Sequence, residues 1–381
     1  MADKKQLAEE FEARINYAKM LIRDGQVDDG LRVIEEVEQQ YSPYFDNLPP
    51  QLRYLIPYSR GRAYLQIKQP SRARIEFETA VRLAGPDIEA RARSQNLLGA
   101  ALYAEEQPSS ALKYHLVCVT AIVQGPIKDL VFRLSVYQNL ANDYWALNEI
   151  ELAIGAYKEA LLLLEDLDAP DRQADIFWGL SLAYKARKEW RYARLYVKRA
   201  IQLFQSTGNR AAEAAMHINF GEILLEEGLT REAAQPLDQA LKLLSGTDHF
   251  GLLSFVHRYC AEIARITGEL GQAAEYAKES IRYAEILLNS DQTIDSHVWI
   301  EPNRTHAEAL HGAALIMEAK GERDAADTLF EQAFERLRPT TLTEIKSSIH
   351  LSYAGVLEAR GDYKGAIEQY KAANDSKEDG V

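Results

Sequence analysis

The side chains able to do chemistry in this sequence are its histidines, its cysteines and a set of Asn, Gln, Trp, Tyr and Arg residues that recur at fixed spacing. The eight histidines are scattered, and no two stand in a His-Glu-x-x-His order, which would place two metal ligands on one helix face. His306 and His311 are five apart and so point to different faces of a helix. Cys118 and Cys260 sit inside helical apolar patterns and read as small core side chains rather than a disulfide or a thiolate site. There is no glycine loop for phosphates, no Gly-x-Ser-x-Gly elbow and no kinase signature. Carboxylates are abundant but read as solvated helix faces. No catalytic residue, cofactor or metal ligand is expected.

The elements that position these residues come from a repeat. A small residue is followed 12 positions later by another, then 4 later by a bulky one and 3 later by a small one, as in Gly61, Ala73, Phe77 and Ala80. The spacing returns at Gly99, Ala111, His115 and Cys118, at Ala141, Ala153, Tyr157 and Ala160, and at Ser181, Ala193, Val197 and Ala200. It continues from Gly221, Ala261, Ala314 and Ala354, while Ala18, Gly30, Ile34 and Val37 form a degenerate first copy within residues 1–50. Two antiparallel helices need small residues where their backbones approach and bulky ones on the flanks. Turn signals such as Asp24-Gly25, Gln69-Pro70, Gln107-Pro108, Glu227-Gly228, Thr267-Gly268, Lys320-Gly321 and Arg360-Gly361 separate the helices. The pattern predicts an all-α chain, a right-handed α-solenoid of about nine helix pairs forming one superhelix over residues 1–381.

The stretch from Gly61-Arg-Ala-Tyr64 to Ala80 resembles the tetratricopeptide repeat family, and the resemblance covers nearly the whole chain. The small residues mostly recur at intervals of 38 to 43, from Gly61 to Gly99 and from Ala18 to Gly61, longer than the family's usual repeat of about 34. Repeats of that length look like those of bacterial peptide-pheromone sensors (Rap, NprR, PlcR), the tetratricopeptide regions of bacterial transcription regulators, and kinesin light chains. One interval, from Ala261 to Ala314, is 53. The surplus, residues 289–303, reads as an inserted mobile loop or a helix extension. Residues 374–381 read as a disordered tail.

In such a superhelix the first helix of each pair lines the concave groove, with residues three before, one after and four after the small residue pointing into it. This gives Tyr58, Arg62 and Leu65; Asn96, Ala100 and Tyr103; Gln138, Asn142 and Trp145; Trp178, Leu182 and Lys185; Ile218, Glu222 and Leu225; and Arg258, Glu262 and Arg265. A face made only for solubility would be Glu and Lys, whereas Asn and Gln pair with peptide N–H and C=O, and Trp, Tyr and Arg anchor interfaces. The candidate ligand-binding residues are therefore Tyr58, Arg62, Asn96, Tyr103, Gln138, Asn142, Trp145, Trp178, Lys185, Glu222, Arg258, Glu262 and Arg265. The resemblance implies that Asn142, with Asn96 as the second candidate, grips peptide backbone. The plainer alternative for Trp145 and Trp178 is packing between helices. A basic stripe, Arg191, Arg194 and Lys198, shares one face of a second helix directed away from the groove, either as a dock for an acidic partner or as a solvated face.

Composition bounds the function. With 57 Asp and Glu against 44 Lys and Arg the net charge is -13, which disfavours direct nucleic-acid binding. No apolar stretch follows the lysines of Met-Ala-Asp-Lys-Lys-Gln, and the longest aliphatic run, Ala160 to Leu164, is far short of the roughly 20 residues a bilayer needs. A cytoplasmic protein without membrane contact is expected. The sequence thus predicts a non-enzymatic receptor for a peptide or protein segment, with a regulatory role. A passive assembly scaffold or oligomerisation module, such as a homodimer, is the alternative.

Overall fold

The small and bulky residues of the repeat meet one another across each helix pair. In the computed structural model, which describes residues 2–125, 127–290, 301–340 and 342–378, every regular element is helical and no strand occurs among the described residues. The chain divides into two compact units, Met1–Arg187 and Lys188–Val381. Unit 1 holds α1 (Ala2–Arg23), α2 (Val27–Tyr41), a 3-10 turn at Ser42–Asn47, α3 (Pro50–Arg53), α4 (Leu55–Gln66), α5 (Pro70–Ala84), α6 (Ile88–Ala104), α7 (Pro108–Gln124), α8 (Leu130–Ala146), α9 (Ile150–Leu164) and α10 (Pro170–Ala186). Unit 2 holds α11 (Trp190–Thr207), α12 (Arg210–Glu226), α13 (Thr230–Leu244), α14 (Phe250–Thr267), α15 (Leu270–Asn289), α16 (Pro302–Lys320), α17 (Arg323–Leu337), α18 (Thr343–Arg360) and α19 (Tyr363–Glu378).

Within each unit, the short connections make the helices they join antiparallel. A Cβ on Gly61 would come within 2.7 Å of the Phe77 ring, and one on Gly221 within 2.6 Å of Leu237, so the small residue of each first helix is what lets the bulky residue of the second approach. Phe77 is wholly buried, which stabilises the pair by about 1.5 to 3 kcal/mol. The turn closing each pair holds one residue in the left-handed region, and it stands seven after the small residue every time. That residue is Gly25, Gly228, Gly268, Gly321 or Gly361 in five pairs and Lys68, Glu106, Asn148 or Lys188 in the other four. Prolines at the first helical position start α5, α7, α10 and α16, while Asp87, Asp129 and Asn209 cap α6, α8 and α12 through backbone N–H groups.

The described residues bury several successive clusters. Unit 1 is built from successive clusters around Phe11, Ile15 and Tyr41, around Phe77 and Leu98, and around Cys118, Phe132 and Val136. Unit 2 has others around Phe330 and Ile349 and around Ala261 and Ile316. Within unit 1, α1 touches α4, α4 touches α6, α6 touches α8 and α8 touches α10; within unit 2, α12, α14, α16 and α18 touch in the same way. The second helices make their main contacts with the first helices before and after them. First helices therefore form the inner layer of each unit.

Two boundaries read from the sequence shift. The last helix, α19, runs to Glu378, past Asn374 where the sequence places the start of the tail, and its last buried residue is Ala373; residues 379–381 lie outside the described residues. Within 289–303, Asn289 ends α15, which at 20 residues outruns the 15 of α13, and Glu301 caps α16. Residues 291–300, with Trp299, lie outside the described residues. No described helix is long and apolar enough to cross a membrane.

Candidate functional site

The inner layer of unit 1 separates residues that the spacing rule groups together. Asn142 on α8 is exposed, and its Oδ1 accepts a hydrogen bond from the Tyr157 hydroxyl of α9 at 2.8 Å. Tyr157 is buried, its ring covers Gly179 of α10, and burial, with Tyr103 and Asp175 adding to it, raises its phenol well above the usual range. The phenol is therefore a fixed donor. With Oδ1 so engaged, the Nδ2 of Asn142 keeps its N–H donors for another acceptor. Gln138, Trp145 and Trp178 are half-buried in the same layer, Tyr103 is exposed and Lys185 half-buried. Burial and then Asp143 raise the Tyr103 phenol.

Asn96 differs. It is 3% exposed, its Oδ1 accepts from Asn139 Nδ2 at 3.2 Å, and its Nδ2 lies 3.4 Å from Ser135 Oγ. Both ends of the amide are used to bridge α6 and α8, so the side chain is not available as a second grip. The backbone carbonyl of Asn96 is also engaged, 3.1 Å from His115 Nε2, while His115 Nδ1 meets Asp143 in a pair buried on both sides. Burial raises the Asp143 carboxyl, opposed by His115. Tyr58 packs edge-on against Tyr54 and Phe77, at 5.6 and 6.2 Å between ring centres. Arg62 is exposed and forms no ion pair or hydrogen bond among the described residues.

In unit 2 the candidate charges meet each other. Tyr259 donates to Glu222 Oε1 at 2.5 Å, linking α14 to α12. Arg258 lies 3.5 Å from Glu308 of α16 and 4.2 Å over the Tyr259 ring, close to Gly312, where a Cβ would come within 3.5 Å of its Cγ. Burial works against the Arg258 charge, but Tyr259, Glu308 and Glu222 hold the guanidinium more firmly cationic than usual. Glu262 accepts two hydrogen bonds from Arg265, at 2.7 and 2.8 Å. His311 pairs with Ser352 at 2.8 Å, and burial and Arg258 lower its imidazole to about 4. Arg258, Glu222, Glu262 and Arg265 thus lace neighbouring first helices or each other.

The basic stripe is also partly spent. Arg194 reaches Glu227 at 3.4 Å and Lys198 sits 5.2 Å from the Phe220 ring, both toward α12, which leaves Arg191 exposed. Arg194 and Lys198 thus lie beside the next helix pair. Both thiols are raised by burial to about 12, which makes them poor nucleophiles. No group of three or more His, Cys, Asp or Glu among the described residues is placed to hold a metal ion. The spacing rule missed Tyr157, which it counted as core, and Lys19, which stands one after Ala18 in the degenerate first copy.

Helix pairs that repeat one spacing in register, each closed by a left-handed residue at the same offset, define a tetratricopeptide-like helical repeat protein. The family model described as soluble NSF attachment protein, SNAP, matches residues 134–290. No curated protein matches the sequence. Among solved structures, the apo form of RapI is similar at a TM-score of 0.74 and 12% identity over 97% of both chains. Aspartyl phosphate phosphatase F from Bacillus subtilis gives 0.63 and 13%, over 97% of this chain and 95% of that one. The Rap conjugation gene regulator of the plasmid pLS20, solved in complex with the Phr* peptide, gives 0.56 and 12% over the same shares.

Proposed function

We propose that the chain is a non-enzymatic regulatory receptor that holds an extended peptide or protein segment along the inner layer of unit 1. The observation that carries this is the Asn142 amide, exposed and oriented by a buried tyrosine so that it presents N–H donors. A surface built only for solubility has no use for an oriented amide, whereas a peptide carbonyl is its natural acceptor. Gln138 adds a second amide, and Trp145, Trp178 and Tyr103 supply anchors beside it. A regulator of the same fold binds the Phr* peptide, which supports the reading, although another protein of that fold carries a phosphatase name. Mass spectrometry of peptides that co-purify with the protein tests it: peptides retained by the wild type and lost from Asn142→Ala are expected, and equal retention by both contradicts it.

A second reading, an assembly scaffold, is favoured by one feature. The outer side of α7 and α9 exposes Leu116, Val117, Val123, Leu152 and Leu162, and among Lys, Arg, Asp and Glu α7 carries Lys113 alone. If light scattering finds an oligomer that Val123→Glu dissociates and peptide leaves unchanged, the scaffold reading replaces the receptor.

A further inference from the structure

The seams between helix pairs share one geometry. The residue before the small residue of a first helix, and the residue two after it, turn toward the second helix of the pair before. Tyr353, which precedes Ala354, stacks on Phe330 of α17 at 4.3 Å between ring centres and donates to Asp327 of the same helix at 3.0 Å. Asp143, two after Ala141, meets His115 of α7. Phe330 and His115 are the bulky residues of their second helices, and that residue is buried in each earlier pair, from Ile34 and Phe77 to Leu237 and Phe330. The two first-helix positions are buried or half-buried in every first helix from α4 to α18. Two helices depart from this. On α19 the bulky residue, Tyr370, is 40% exposed, and Ile367, one after Ala366, is 54% exposed. On α1 the two positions are Tyr17 and Met20, 51% and 40% exposed. A repeat face left in water is normally polar, whereas these four side chains are aromatic or apolar.

We propose that these are the two halves of one seam, and that α19 of one copy of the chain docks on α1 of a second copy. The repeat sets the register. Tyr17 of the second copy takes the place that Tyr353 holds on α18, Met20 the place that Asp143 holds on α8, and Tyr370 of the first copy the place of Phe330 and His115. Tyr370 then lies between Tyr17 and Met20, and Ile367 lies beside Tyr17 where Asp327 stands beside Tyr353. The occupant follows from this continuity, because a second copy brings the same spacing of positions to the contact that α18 brings to α17. Aromatic pairs and sulfur over a ring are favourable contacts. Two copies, each with a net charge of -13, repel at long range, but none of the four side chains is charged, so the seam strips water from no ion. The contact is heterologous, since each copy offers a different face to each neighbour. It stands apart from the peptide reading, whose residues lie on α6, α8 and α10.

The test is sedimentation velocity on the full chain and on two variants, Tyr17→Lys and Tyr370→Lys, with circular dichroism to show that helix content is kept. The wild type is expected to gain mass with concentration up to about 0.2 mM, above a Kd of about 10 to 100 µM for a small interface. Each variant alone should stay monomeric, its association weakened by about tenfold or more. An equimolar mixture of the two separates this contact from any other. A Tyr17→Lys chain keeps its α19 face and a Tyr370→Lys chain keeps its α1 face, so the mixture should form a dimer of one copy of each and grow no further. Met20→Lys and Ile367→Lys repeat the mixture should either tyrosine variant lose helix content. Val123→Glu, on the outer side of α7, should assemble as the wild type does. A wild type that stays monomeric overturns the proposal, and so does an oligomer that Tyr17→Lys leaves intact. An oligomer that each substitution abolishes and the mixture does not restore is a contact between like faces, which overturns it as well.

Discussion

Two asparagines on the same inner-layer rule do different work, and each makes its own prediction. Asn96 is buried and uses both ends of its amide on Ser135 and Asn139. Asn96→Ala should therefore lower stability by about 1 to 3 kcal/mol, seen as a clear drop in the melting temperature. A melting temperature equal to wild type would contradict the bridging role. Tyr157→Phe removes the donor that fixes Asn142 and leaves the ring in place over Gly179. It should weaken peptide binding several-fold and shift stability by no more than about 1 kcal/mol, the net worth of one hydrogen bond. Both asparagines were legible as candidates from spacing alone. What separates them, the identity of the side chains 39 to 43 positions further on, depends on register between helices and cannot be read along one helix. For the same reason Arg258 and Glu222 read as free anchors from spacing, although Glu308 and Tyr259 of neighbouring helices stand beside them, whereas Glu262 and Arg265 pair along their own helix, three residues apart.

At the scale of the element, each helix pair depends on a small residue at the crossing and a left-handed residue at the turn. Gly61→Ala would force a methyl within 2.7 Å of the fully buried Phe77 ring, and overpacking of that kind costs about 1 to 3 kcal/mol, more than the helix propensity of Ala returns. Denaturant titration should show the loss. Glu106 adopts φ 60 in its turn, a conformation costing a side chain of this type about 1 to 2 kcal/mol. Glu106→Gly should raise stability by about 0.5 to 1 kcal/mol, once the larger entropy of the unfolded Gly is set against it, and Asn148→Gly should gain less because Asn tolerates this region. A loss of stability on Glu106→Gly would contradict the strain assigned to that turn. The helix pairs were predictable because the repeat writes the crossing residues into the sequence. The four non-Gly turns were only half visible: Gln69-Pro70 and Gln107-Pro108 announce a turn, but neither dipeptide says that the residue before it lies at positive φ.

At the scale of the whole molecule, the two units carry different titrating groups. Burial lowers His217, His257, His306, His311 and His350, all of them in unit 2, and His306 and His311 fall to about 4. A histidine whose folded value lies below its unfolded one, 6.5, binds fewer protons when folded. Its contribution is fully present above that value and is lost as the pH falls toward about 4. At about 1.4 kcal/mol per pKa unit, His306 and His311 each cost unit 2 at most about 3.5 kcal/mol over that range. Hydrogen-exchange protection in residues 188–381 should fall between pH 6.5 and 4 faster than in residues 1–187, and His306→Gln should flatten the difference. Equal loss in both units would contradict it.

The role of Asn142 as an oriented donor in a ligand face is tested most directly by calorimetry on that side chain. Wild type and Asn142→Ala would each be titrated with the peptides that co-purify with the wild-type protein, and the melting temperature of both proteins measured without peptide. Asn142 is exposed, and the one side-chain hydrogen bond it makes among the described residues is the one from Tyr157. The expected result is therefore a loss of about 1 to 3 kcal/mol in binding, the worth of a peptide carbonyl left without its donor, with a melting temperature nearly unchanged. Equal affinity of the two proteins, or a binding loss matched by a large drop in melting temperature, would contradict the claim that this amide holds a peptide.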